Sequence, residues 1–153
     1  MKSERSQFQR VGVRPFFDYT RLTQFGSWRG WIEVDGERLD VDSMWGTRDR
    51  SWGVRPHGER EPEGIHVGTH SLSGMWNYDP MQFGDHSILY MLNEEPSGER
   101  VLEEAVRIWA DPARDPQFLG RPEYEHTLVS GTRMVSHSVI HFPHAPGGGF
   151  SVD

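Results

Sequence analysis

Residues 44–56 bring together the side chains of this sequence that are best suited to chemistry. These thirteen positions hold two Trp, three Arg and one Asp, and a buried Arg normally needs a carboxylate or another acceptor for its planar guanidinium group. Asp49 is the nearest acceptor. In an extended chain Arg48, Arg50 and Trp52 lie on one face and Asp49 on the other. Two interpretations stay open: a structural clasp between strands, or the wall of a ligand or catalytic site.

A second group of ring-bearing and flexible side chains follows between residues 76 and 90. Several members combine an apolar ring with a polar atom, which is typical of a pocket that holds an apolar ligand through a few directional contacts. We predict that this group lines such a pocket with Trp52, and that Arg48 or Arg50 meets the polar end of the ligand. Ordinary core packing is the alternative. The group consists of Trp76, Tyr78, Met81, Phe83, His86 and Tyr90.

The same side chains could serve an enzyme. Asp49 would be the acid, His86 or Tyr90 would assist it, and the rings would stabilise a cation. No cofactor is predicted, because the sequence has no phosphate loop, dinucleotide fingerprint or nucleophile elbow. The absence of Cys excludes a thiolate nucleophile and thiolate metal ligands.

The eight His residues do not predict a metal site. His137 and His141 lie four positions apart in a predicted strand, about 13 Å at the rise of a strand, which is too far to share one ion. A site assembled from distant residues, such as His57, His86 and His126, is the open alternative.

The charge balance restricts the partners. Sixteen basic and 23 acidic residues give a net charge of −7, which disfavours nucleic-acid binding. No apolar run is long enough for a membrane span and no signal peptide is visible. The expected location is therefore the cytoplasm.

Short antiparallel strands are predicted to position these side chains. The pair Asp35-Gly36 between two alternating runs, 25–34 and 37–41, is the strongest hairpin signal in the sequence. The low aliphatic content, the many rings and the 17 Gly also favour strands over helices. We predict eight to ten short strands in an all-β fold, an antiparallel lipocalin-like (calycin) barrel or sandwich that need not be complete.

Two further hairpins are predicted. A Ser-Gly-Thr turn joins residues 124–129 to residues 133–142. A tight turn joins residues 86–94 to residues 99–109, although the second of these runs also satisfies a helical period. We interpret it as a strand because of the turn that precedes it.

The remaining segments complete the prediction. Residues 65–70 and 74–79 are expected to be short strands, the latter stopped by Pro80, and residues 56–64 and 111–122 to be loops. As domains, we expect a flexible lead-in or weak edge strand over 1–15, one lipocalin-like β domain over 16–145 and a flexible tail over 146–153.

Four stretches carry a resemblance to a known family. Residues 46–55 resemble the Arg-Asp-His-Ser-Trp-Gly signature of the lipocalin-like proteins grouped with carotenoid 1,2-hydratase, also called hydroxyneurosporene synthase. The resemblance continues through residues 81–87, 101–107 and 119–122. The sequence is most similar to bacterial members of that superfamily to which no function is assigned.

The resemblance implies a fold and a ligand class. Members of the family have two lipocalin-like halves around a pocket for hydrophobic, isoprenoid- or polyketide-like molecules, and this chain looks like the C-terminal half. Such hydratases usually carry His-Asp-His-Asn-Trp-Gly, of which only Asp49, Trp52 and Gly53 carry over directly. An Asp between Arg48 and Arg50 is expected to stay ionised, which opposes the role of proton donor.

Three hypotheses follow. The first is a lipocalin-like domain that binds a hydrophobic small molecule. The second is a hydratase, isomerase or cyclase that acts on an isoprenoid-like substrate. The third is a half-domain that functions only in a homodimer or with a second lipocalin-like half.

Overall fold

β-Strands make up all of the regular secondary structure in the part of the chain that the computed structural model describes, residues 2–3, 7–11, 13–54 and 74–153. The chain divides into two compact units, Met1–Leu72 and Ser73–Asp153. Residues 16–145, which were expected to form one domain, are therefore spread over both units. The strands are β1 (Lys2–Ser3), β2 (Gln7–Val11), β3 (Arg14–Val34), β4 (Glu37–Val54), β5 (Met75–Gln82), β6 (His86–Glu94), β7 (Arg100–Trp109), β8 (Gln117–Phe118), β9 (Glu123–Leu128), β10 (Val135–Phe142) and β11 (Phe150–Val152).

The N-terminal unit is organised by the long hairpin of β3 and β4. Its turn consists of Asp35 and Gly36, which both have positive φ angles, 51° and 82°, as the type I′ turn of a tight hairpin requires. The predicted Asp-Gly hairpin is confirmed. β1 and β2 pair with the first half of β3, so of the two alternatives for residues 1–15, a lead-in or a weak edge strand, the described residues form edge strands.

β3 and β4 are much longer than the short strands that were predicted, with 21 and 18 residues. Glycine is unfavourable inside a strand, but the pairing continues through the glycines of both strands. At Gly46 a Cβ atom would lie 2.5 Å from the indole ring of Trp28. The missing side chain thus leaves room for that ring, and the strand continues.

The C-terminal unit contains two antiparallel sheets, one of β5, β6, β7 and β8 in that order and one of β11, β10 and β9. The hairpins β6–β7 and β9–β10 are confirmed, and residues 100–109 form a strand rather than a helix. Together with the N-terminal unit, these sheets confirm the all-β antiparallel fold class. The sheets of the described residues are open and do not close into a barrel.

Three local predictions for the C-terminal unit need correction. β5 does not stop at Pro80 but continues to Gln82, because β5 is an edge strand and a residue without an N–H group is tolerated there. The segment expected to be a loop over 111–122 contains the short strand β8. The segment expected to be a flexible tail contains β11, which pairs with β10.

The two sheets of the C-terminal unit pack face to face. Alternate residues of β6, Ile88, Tyr90 and Leu92, are fully buried and form one core with Ile140 and Phe142 of β10. The rings of Tyr90 and Phe142 meet edge to face at 6.4 Å. These alternate residues form the inner face of the small sandwich, and Leu89 and Met91 on the other face of β6 are equally buried.

Some predictions concern residues 55–73, which lie outside the described residues. They are the exposed loop over 56–64, the strand over 65–70, and His57 of the distant metal-site alternative. No helix in the described part of the chain is long and apolar enough to cross a membrane.

Candidate functional site

Asp49, the predicted acid, forms a forked ion pair with Arg21 of β3. The two oxygens of its carboxylate lie 3.1 and 3.0 Å from Nε of Arg21, and Oδ2 lies 2.6 Å from Nη2. In the register, Arg21 pairs with Ser51, and the partner of Asp49 is Thr23, two positions further along β3. The carboxylate therefore joins β4 to β3 across the hairpin, which is the geometry of the structural clasp.

The neighbours of Asp49 have different surroundings. Arg48, Arg50 and Trp52 are exposed and share the opposite face of β4. Gly53 has a φ angle of 132°, and a Cβ atom there would lie 2.2 Å from the carbonyl oxygen of Asp18. This glycine permits the close approach of β3 and β4 near the open end of the hairpin.

The predicted group between residues 76 and 90 divides between the two faces of its sheet. Met81, Phe83 and Tyr90 pack in the core between the sheets. Trp76 and Tyr78 occupy alternate positions of β5 that face the other way, opposite Asn93 and Met91 in the register. The structure thus brings together only part of this group.

His86 lies at the start of β6 in an aromatic cluster. Its Nδ1 atom is 2.6 Å from a carboxylate oxygen of Asp85, and its ring lies 4.8 Å from that of Phe83 and 5.6 Å from that of Trp109. The hydrogen bond from His86 lowers the pKa of Asp85. His86 and Tyr90 are both on the inner face of the sheet, four positions apart along β6.

Arg100 is the centre of a polar network at the opposite end of β6. Its Nε atom donates to Glu94 at 3.3 Å, and its Nη1 atom donates to Glu103 and, at 2.7 Å, to the carbonyl oxygen of Pro122. The hydroxyl of Tyr124 donates to Glu94 at 3.1 Å. Two carboxylates thus surround one guanidinium group, and the network has no uncompensated positive charge.

Next to this network, four side chains bury polar atoms without a hydrogen-bond partner. The atoms are Nδ2 of Asn77, Oδ2 of Asp79, the hydroxyl of Tyr90 and both ring nitrogens of His126. Asn77 and Asp79 are alternate residues of β5, and Asp79 stands directly opposite Tyr90 of β6. We call these four residues the polar cluster.

Burial and neighbouring charges determine the electrostatics of the polar cluster. Burial raises the pKa of Asp79, and the imidazole of His126 is near enough to oppose that shift. Burial also raises the pKa of Tyr90, whose hydroxyl feels the charges of Arg100, Glu103 and Asp79. The ring of His126 stacks on that of Tyr124 at 4.8 Å. Residues from three strands of both sheets therefore share one region of the interior.

The polar cluster offers a defined set of donors and acceptors. Asn77 and Tyr90 offer N–H and O–H donors, and His126 offers one donor and one acceptor in its neutral form. Asp79 accepts when ionised and donates when protonated, and burial raises its pKa above the ordinary value. Such a set can hold the polar end of a small molecule or exchange a proton with it.

The sequence analysis identified Tyr90 but missed Asn77 and Asp79 and considered His126 only as a metal ligand. The signal was the alternation along β5, because Asn77 and Asp79 share the face of Met81 whereas Trp76 and Tyr78 do not. Among residues 2–3, 7–11, 13–54 and 74–153, no three His, Asp or Glu side chains are grouped to hold a metal ion.

Comparison with known proteins gives one positive finding for nearly the whole chain. Residues 2–151 match the model of a protein family that is described as a family of unknown function. The description states no activity. No curated protein and no solved structure matches the chain.

Proposed function

The chain belongs to the family of unknown function DUF8625, and we propose from its own geometry that the C-terminal unit binds a mainly apolar small molecule between its two sheets. The polar cluster holds the polar end of this ligand. The observation that carries the proposal is the group of buried polar atoms on Asn77, Asp79, Tyr90 and His126 that have no hydrogen-bond partner. Each such atom costs about 1–3 kcal/mol, and folded proteins leave few of them.

Apolar side chains on the same inner face support a ligand with a long apolar part. Met81, Ile88 and Phe142 continue the interior from the polar cluster toward Phe83 and Phe150. A few directional groups beside a larger apolar surface are the usual composition of a small-molecule site. The isoprenoid- or polyketide-like molecules expected from the family resemblance combine these two features.

The charges favour a neutral polar end. Arg100 is already bound by Glu94 and Glu103, and Asp79 adds a carboxyl group rather than a cation. Arg107 lies toward the other end of β7, where it donates to Gln117 at 3.0 Å and stacks on aromatic rings. A hydroxyl or carbonyl group would accept from Asn77 and Tyr90, and a hydroxyl could also donate to Asp79.

Native mass spectrometry of the chain purified from its own cells tests the proposal. We expect an adduct of small-molecule mass that organic extraction removes, and that the extracted molecule rebinds to the wild-type chain. Tyr90→Phe removes only the hydroxyl from the polar cluster and should weaken rebinding about tenfold, the value of one hydrogen bond. Tyr78→Phe makes the same change on the other face of the sheet and is the matched control. Equal rebinding by both variants would exclude the polar cluster as the site.

Proton transfer to the bound ligand is the second candidate function. It is favoured by a carboxyl group of raised pKa, Asp79, beside an imidazole and a phenol. The reaction class would be the hydration, isomerisation or cyclisation expected from the resemblance, with Asp79 rather than Asp49 as the acid. Asp79→Asn should abolish turnover of the extracted ligand and retain its binding. Full turnover by this variant would exclude the role.

A further inference from the structure

The outer part of the β3–β4 hairpin is a two-stranded ribbon with unequal faces. Beyond Thr23, β3 pairs only with β4 among the described residues. One face, which we call the apolar face, carries Val34, Ile32, Gly30 and Trp28 from β3, and Leu39, Val41 and Met44 from β4. A bulge at Ser43, which has a φ angle of 61°, keeps Met44 opposite Trp28.

The other face of the ribbon carries ion pairs beside two exposed rings, Trp31 and Trp45. Arg38 donates to Asp40 at 2.9 Å and lies 5.0 Å from the ring centre of Trp31. Arg29 and Asp42 form a second ion pair at 3.7 Å. All of these groups are exposed, as is normal for solvated ion pairs. The apolar face has a single charged side chain, Glu37, at its edge next to the turn, where it stands opposite Val34.

The apolar face is unusually exposed for its composition. Trp28, Ile32, Val34, Leu39 and Met44 are 48–64% exposed, together roughly 500 Å² of apolar surface, near the upper limit for a typical monomer. Among the residues of the N-terminal unit whose side-chain exposure is described, only Thr23 and Val41 are buried. A two-stranded ribbon contributes little stability by itself, so a cover over this face would stabilise the outer part of the hairpin.

We propose that the cover is the apolar face of a second copy of this chain, in a symmetric dimer. Two copies would bury roughly 1,000 Å², which is the lower limit for a specific interface. A two-fold axis at the level of Gly30 would place Trp28 of each copy over Ile32 and Leu39 of its partner, large against medium side chains. Gly30 has no atom within 4 Å of its Cβ position, so the ribbons can approach closely at the axis.

Sedimentation of the whole chain over a wide range of concentrations, with two single-site variants, tests this dimer. Ile32→Arg introduces a charge into the apolar face, twice per dimer. Trp31→Arg introduces the same charge at the neighbouring, equally exposed position of the opposite face and is the matched control. We expect the wild-type chain and the control to dimerise, and Ile32→Arg to raise the dissociation constant at least about a hundredfold.

The outcomes separate this interface from others. A wild-type chain that remains monomeric at all concentrations overturns the proposal, and so does a dimer that both variants weaken equally. Far-UV circular dichroism checks that each variant folds. If Ile32→Arg does not fold, Ile32→Thr retains a β-branched side chain and should still weaken the dimer about tenfold, and its failure to do so also overturns the proposal. The dimer does not depend on the ligand site, so the failure of one leaves the other intact.

Discussion

Replacing Tyr90 by Phe is expected to stabilise the ligand-free C-terminal unit while it weakens ligand binding. The Tyr90 side chain is fully buried and its ring contacts Phe142 edge to face, contacts that Phe can reproduce. The hydroxyl has no hydrogen-bond partner among the described residues. The mutation therefore removes a group that is desolvated on folding and receives nothing in return.

The size of the effect follows from that desolvation. An unsatisfied buried polar group costs about 1–3 kcal/mol, so the free energy of unfolding should rise by about that amount. For a unit of this size, each 1 kcal/mol corresponds to about 4–8 °C in Tm. The sign is diagnostic, because a buried Tyr with a satisfied hydroxyl loses about 1 kcal/mol on the same change.

The assay is urea unfolding of chain that has been stripped of ligand by organic extraction and refolded. Stripping is needed because a ligand bound to the folded state stabilises it and would hide the gain. Tyr78→Phe serves as the control and should not increase the free energy of unfolding. If Tyr90→Phe lowers that free energy by about 1 kcal/mol, the hydroxyl already had a hydrogen-bond partner, and the polar cluster no longer argues for a ligand.

Three further predictions test other parts of the structure. Burial raises the pKa of Asp79, so the folded state should lose stability as the pH rises from the ordinary pKa of 3.8 through the raised one. Asp79→Asn should remove this dependence of the free energy of unfolding on pH, which urea titrations measure. An unchanged pH dependence would contradict the assignment. Asp49→Asn should cost about 1 kcal/mol, seen as faster amide exchange in β3 and β4, and should leave ligand affinity unchanged; loss of binding would return Asp49 to the site. Gly53→Ala should destabilise the hairpin by about 2 kcal/mol or more, because the new Cβ atom would meet the carbonyl oxygen of Asp18. Gly26 has open space around its Cβ position, so Gly26→Ala should have little effect on thermal unfolding.

Turn chemistry explains why the hairpins could be predicted. The conformation at Asp35-Gly36 depends on two residues and their immediate neighbours, and the same holds for the turns before β7 and β10. The alternation along the flanking strands then assigns their faces. Long strands were not predicted, because a glycine such as Gly46 weakens a strand locally and the compensating contact, the ring of Trp28, comes from another strand.

The polar cluster could not be predicted in the same way, because it depends on contacts between distant segments. Asp79 and Tyr90 meet through the register of β5 and β6, and His126 reaches them only because the second sheet packs on the first. The sequence does show that Asn77 and Asp79 alternate with Trp76 and Tyr78. It does not show which of these faces turns toward the second sheet.

The same distinction between local and distant contacts bears on the family signature. Of the three signature residues that carry over directly, Asp49 binds Arg21 across the hairpin and Gly53 permits close approach to Asp18. Both tasks belong to the architecture of β3 and β4, so these two residues serve the hairpin rather than hydratase chemistry. The groups able to exchange a proton, Asp79 and His126, are outside the signature. A search for the ligand and for any turnover should therefore begin with the interior of the C-terminal unit.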